Sequence, residues 1–107
     1  MANNQQEQIQ QLQNIEQHLQ VLLAQKQTFQ SQLLEIDNAL SELEKTNDKV
    51  YKIIGAIMVL ANKDSTKSEL EERKKVLELR IKSIESQERN FKQKAEDIQE
   101  ELVKDLK

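Results

Sequence analysis

The chain has 107 residues, of which 33% are charged, 36% hydrophobic and 3% aromatic, with one glycine, no proline and no cysteine. So little apolar and aromatic content rules out an ordinary globular core, and the absence of cysteine rules out a disulfide framework or a thiolate metal site. A net charge of −3 gives no general attraction to nucleic acid or to an anionic membrane.

The start, MANNQQEQ, has neither a basic region nor an apolar run of signal-peptide type. No stretch reaches the roughly 18 apolar residues of a membrane span. The expectation is therefore a soluble, cytoplasmic chain. Its first part is Gln-rich and mildly acidic, with two lysines against six acids up to Asn47. The twelve glutamines among the first 32 residues fall off the apolar stripe and read as neutral helix surface.

From Leu12 onward apolar residues recur in alternating steps of three and four. Heptad position a takes Leu12, Leu19, Lys26, Leu33, Leu40 and Asn47, and position d takes Ile15, Leu22, Phe29, Ile36, Leu43 and Val50. Ten of these twelve are apolar, which predicts a coiled-coil helix over 1–48. His18, the only histidine, falls at position g and reads as a solvated side chain.

The segment 49–64 differs. Val50, Tyr51, Ile53 and Ile54 precede Gly55, and Ile57, Met58, Val59 and Leu60 follow it, which predicts two short strands turning at the glycine. Neither face of such a hairpin is polar, so both require burial. An isolated two-stranded hairpin is marginal in water and its edges invite pairing, so the hairpin is expected to be an oligomerisation surface.

A second helix is expected over 65–107. Thr66 and Glu69 form a capping-box pattern, T-K-S-E, at its start. Its d positions are Leu70, Leu77, Ile84, Phe91 and Ile98, and its a positions are Lys74, Ile81, Glu88, Ala95 and Leu102. Carrying the first register through the middle would place a d position at Glu71 rather than Leu70, so the phases disagree by one residue. That break favours a chain that turns back on itself over one continuous helix.

In the antiparallel arrangement, residues whose numbers sum to about 117 are expected to share layers. Leu40 would meet Leu77, Leu33 would meet Ile84, Leu22 would meet Ala95, and Leu19 would meet Ile98. Phe29 would lie level with Glu88 and Lys26 with Phe91, so that Lys26 and Glu88 pair across adjacent layers and fix the register. The Glu71, Glu72 and Glu100, Glu101 pairs read as solvated helix surface, and the bases around Arg73 are cancelled by neighbouring acids. No catalytic residue, metal ligand or cofactor site is expected.

The stretch ALSELEKTNDKVYKIIGAIMV (39–59) and the later LEERKKVLELRIKSIESQE (70–88) resemble the β-type subunit of archaeal prefoldin and its eukaryotic relatives. V-Y-K-x-x-G, L-E-L-R and S-Q-E carry the resemblance most specifically. A single hairpin fits the β type, since α-type subunits carry two. The resemblance implies one mainly α unit over 1–107, an antiparallel two-helix coiled coil joined by one β-hairpin. It also implies a hexamer of two α-type and four β-type subunits, whose hairpins join in a β-barrel platform.

The implied activity is that of an ATP-independent chaperone that holds non-native proteins and passes them to a group II chaperonin. On that reading the residues 50–54 and 57–61 build the platform, and the helix ends hold clients. Ile9, Leu12, Ile15 and Leu19 would meet Ile98, Leu102, Val103 and Leu106 there, with Ile9 and Val103 surplus to the seam. The alternative is a structural coiled coil, a scaffold or tether docking one fixed partner.

Overall fold

The computed structural model describes residues 2–106. Its element order is α1 (Ala2–Lys45), β1 (Val50–Ile54), β2 (Ile57–Ala61) and α2 (Lys63–Leu106). Both helices run 44 residues without interruption. They are rich in Gln, Glu, Lys and Leu, which lose little rotamer freedom in a helix, and no proline breaks them.

The chain divides into two compact units, one made of Met1–Thr28 with Ile81–Lys107 and the other of Phe29–Arg80. In the first unit the helices run antiparallel. Gln8 donates to Glu101 at 3.0 Å, the His18 and Phe91 rings stack at 5.1 Å, and Lys26 pairs with Glu88 at 2.8 Å. Its buried apolar residues are Ile15, Leu22, Ile81 and Ile84. A stripe this narrow follows from heptads whose flanks are mostly Gln, Glu and Lys.

In the second unit the helices are again antiparallel. Lys74 pairs with Asp37 at 2.8 Å, Lys67 lies 3.9 Å from Glu44, and the Arg80 guanidinium sits 5.6 Å from the centre of the Phe29 ring. Leu77 and Thr66 are buried here.

In both units the partners across the helices have numbers summing to about 110, not 117, so the expected register is corrected by one heptad. A seam repeating every seven residues matches nearly as well when slid by seven, so the apolar pattern alone cannot choose. The closing segment chooses. Thr46 tightens the end of α1, its N–H donating to the Leu43 carbonyl at 3.3 Å and its hydroxyl to the Glu42 carbonyl at 2.8 Å. The Lys63 ammonium then donates to the Thr46 carbonyl at 2.9 Å, so the first residue of α2 covers the negative end of α1. The layers are counted from that junction.

The start of α2 also departs from the capping-box expectation. The Ser65 N–H donates to Asn62 Oδ1 at 3.0 Å, which makes Asn62 the cap. The Thr66 N–H already donates to the Asn62 carbonyl at 2.9 Å, so Thr66 lies inside the first turn and cannot cap it. Glu69 is free to turn elsewhere.

The strands pair antiparallel, from Val50 opposite Ala61 to Ile54 opposite Ile57. That register leaves Gly55 and Ala56 as a two-residue turn. Gly55 has φ 60°, and no non-glycine residue among those described has positive φ. Glycine at the first central position with a negative-φ residue after it is the pattern of a type II′ turn, whose twist matches that of the strands.

Candidate functional site

The hairpin lies in the second unit, and its register sorts its side chains into two faces. Tyr51, Ile53, Met58 and Leu60 share one face and all are exposed, Ile53 to 74%. The opposite face carries Val50, Lys52, Ile54, Ile57, Val59 and Ala61. Val50, Lys52 and Ala61 are half-buried there, while Ile54, Ile57 and Val59 remain exposed. The sheet has only two strands, so each presents an unpaired edge.

Lys52, the one charge in the strands, fixes the second face against α2. Its ammonium pairs with the Glu69 carboxylate, and Arg73 lies 3.7 Å from the same group. The hydrogen bond and charge of Lys52, with Arg73 adding to them, hold the Glu69 carboxyl below the usual glutamate range. A groove of about 270 Å³ lies between hairpin and helix, lined by Lys52, Ile53, Ile54, Thr66, Glu69, Leu70 and Arg73. The expectation set Lys52 within the platform strand 50–54 without giving it a partner, although a lone lysine in an otherwise apolar strand pair was a signal for one.

The helix ends belong to the first unit. Ile9, Val103 and Leu106 are exposed, Leu106 to 75%, and Leu12, Leu19, Ile98 and Leu102 are half-buried. Ile15 is more deeply packed than the others. At 8% exposure it is a packed seam residue that contributes to a groove's floor. Ile9, Leu12, Ile15 and Leu19 of α1 come together with Ala95 and Gln99 of α2 around an open groove of about 300 Å³. Val103 lines a different, shallower groove with Glu96, Gln99, Glu100 and Lys104. Val21 and Leu23 are exposed apolar residues on α1 that the sequence reading left unassigned, though both lie off the a/d seam.

Lys26 and Glu88, 2.8 Å apart, occupy seam positions with side chains 20% and 11% exposed. The aromatic residues sit differently from expectation, because the register moved. His18 is exposed yet lies flat on Phe91, with an interplanar angle of 7°, instead of standing in solvent, and Lys94 approaches the same ring at 5.8 Å. Phe29 is covered by Arg80. The acidic pairs Glu71, Glu72 and Glu100, Glu101 are exposed. Among the described residues no group of His, Cys, Asp or Glu side chains could hold a metal ion, and no helix is long and apolar enough to cross a membrane.

Other proteins share this plan of two helices and one apolar hairpin. The profile of the family described as Prefoldin subunit matches residues 6–107. The chain is 39% identical over 99 residues to prefoldin subunit beta of Methanococcoides burtonii, covering 91% of this chain and 85% of that one. It is 38% identical over 90 residues to prefoldin subunit beta of Pyrobaculum calidifontis, covering 82% and 72%. Among solved structures it is similar to the crystal structure of the prefoldin beta subunit from Thermococcus strain KS-1, with a TM-score of 0.90 at 32% identity, covering 96% of this chain and 92% of that one. The helix–hairpin–helix order, the single hairpin and these likenesses agree, and the chain belongs to the prefoldin subunit family in its β type.

Proposed function

We propose that this chain is a subunit of an ATP-independent holding chaperone of the cytoplasm, with one surface for assembly and another for clients. The observation that carries the proposal is the hairpin. Tyr51, Ile53, Met58 and Leu60 form a wholly apolar, exposed face on a sheet whose two edges are unpaired. Fully burying one large apolar side chain stabilises by roughly 1.5–3 kcal/mol. Four such residues, with free strand edges beside them, give a strong drive to join other hairpins.

On this reading Val50, Tyr51, Ile53, Ile54, Ile57, Met58, Val59 and Leu60, turned at Gly55, add to the hairpins of further β-type subunits and of an α-type partner. The product is a β-barrel platform in a hexamer of two α-type and four β-type subunits. Ile9, Leu12, Ile15, Leu19, Ile98, Leu102, Val103 and Leu106 hold non-native chains, and a group II chaperonin receives what is held. Apolar side chains exposed at the ends of long helices support non-selective capture of apolar segments. Lys26 and Glu88 act as the register pair, and the function needs neither cofactor nor catalysis.

The test mixes the chain with its α-type partner, measures the mass of the assembly, and adds a denatured, aggregation-prone protein while light scattering is followed. A monodisperse hexamer that suppresses scattering is expected. A stable hexamer without effect on several such proteins would point instead to a scaffold docking one fixed partner.

A further inference from the structure

In the first unit, Ala95 is the smallest residue on the α2 seam, set between Phe91 and Ile98. Its methyl group leaves space that a leucine or isoleucine would fill, and the open groove of about 300 Å³ lies there. Ile15 is its packed neighbour, and Leu12 and Leu19 complete the apolar lining. The polar groups around it are one-sided. Glu16 is the only charge in that lining, and the neighbouring groove, which shares Gln99, adds Glu96 and Glu100 against a single Lys104.

None of Glu16, Glu96 and Glu100 has an ion-pair partner within 4.0 Å among the described residues. Glu96 and Glu100 stand four apart on one helix, a like-charge spacing that costs the helix a few tenths of a kcal/mol. A cation between them removes that cost.

We propose that this groove takes an apolar side chain from a client segment whose neighbouring residues are lysine or arginine. The apolar side chain fills the space left by Ala95. The flanking cations lie against Glu16 and against Glu96 and Glu100, their aliphatic stems covering the exposed Ile9 and Val103. The inference rests on the reading that the helix ends hold non-native chains, and it narrows the segments they hold best from any apolar stretch to one with basic flanks.

The experiment uses the assembled complex of this chain with its α-type partner. It also uses three fluorescent peptides that share one apolar centre and are flanked by lysine, glutamine or glutamate. Fluorescence anisotropy at low salt is expected to rank them lysine, glutamine, glutamate. The lysine and glutamate peptides should differ by roughly tenfold, and the gap should close as salt rises toward 0.5 M. A triple Glu16→Gln, Glu96→Gln, Glu100→Gln variant should lose the ranking while binding the glutamine-flanked peptide as before. Its Tm should change little, since the Glu96–Glu100 repulsion it removes and the Glu100–Lys104 attraction it also removes are of similar size.

Ala95→Leu should weaken all three peptides together and leave the ranking in place. Equal binding of all three peptides by the unaltered complex, or a ranking that survives in the triple variant, overturns the charge preference alone. Binding that Ala95→Leu leaves untouched overturns the groove. If none of the peptides binds although the complex still suppresses aggregation, the reading of the helix ends falls as well.

Discussion

Gly55 shows how much one residue carries. Its φ of 60° is a conformation that costs an L-residue about 1–2 kcal/mol, while a Cβ added there would meet no atom within 4 Å. Gly55→Ala should therefore destabilise the hairpin by about 1–2 kcal/mol through backbone strain alone. Chemical denaturation of the assembled complex would read this as a lowered midpoint, and an unchanged midpoint would deny the turn its special geometry. Lys26 and Glu88 offer a second test. Removing one partner, as in Glu88→Ala, should cost roughly 1.5–3 kcal/mol, the range of a hydrogen bond to a charged group. Replacing both with leucine should restore or raise stability while loosening the choice among registers seven residues apart. A double variant that gains no stability and keeps a single register, seen by disulfide trapping across the helices, would refute the register role.

Among the elements, the long helices and the hairpin were legible because their periods differ. Steps of three and four along Leu12 to Leu43 can only be a helix seam, and the β-branched run around Gly55 fits neither seam nor loop. Two things were not legible. The register was hidden by the seven-residue repeat, and it is set by the junction where Lys63 meets the Thr46 carbonyl. The start of α2 was misplaced because T-K-S-E matches a capping box, yet Asn62 reaches the Ser65 N–H first and releases Glu69 to pair with Lys52. That pair makes the seating of the hairpin pH-dependent. Lys52 holds the Glu69 carboxyl below its ordinary value, so the contribution is complete above about pH 4.3 and is lost as pH falls through the lower folded value. Hydrogen exchange corrected for intrinsic rates should show strand amides of residues 50–61 losing protection in acid, and Glu69→Gln should show that loss already at neutral pH. Lys74 behaves oppositely. Its hydrogen bond and charge pairing with Asp37 raise its pKa, so that contribution is present through neutral pH and is lost only as pH climbs above the usual lysine range.

For the molecule as a whole, the narrow core and the apolar hairpin are two sides of one account. Among the described residues only Ile15, Leu22, Leu77, Ile81 and Ile84 are buried apolar ones, while the hairpin exposes seven large ones. A chain that spends so much apolar surface outside its own core is built to complete its burial with other copies and partners. The same reasoning separates two tasks, since the hairpin residues belong to one unit and the helix ends to the other. Ile53→Lys with Met58→Lys should abolish assembly, which sedimentation would detect as a loss of the complex. The central claim is that assembly and client holding reside in different residues. Its most direct test is light scattering by a complex lacking residues 1–12 and 101–107, measured beside its mass. An unchanged mass of the complex with markedly weaker suppression of aggregation is the predicted result. Collapse of the assembly, or full suppression without those ends, would contradict it.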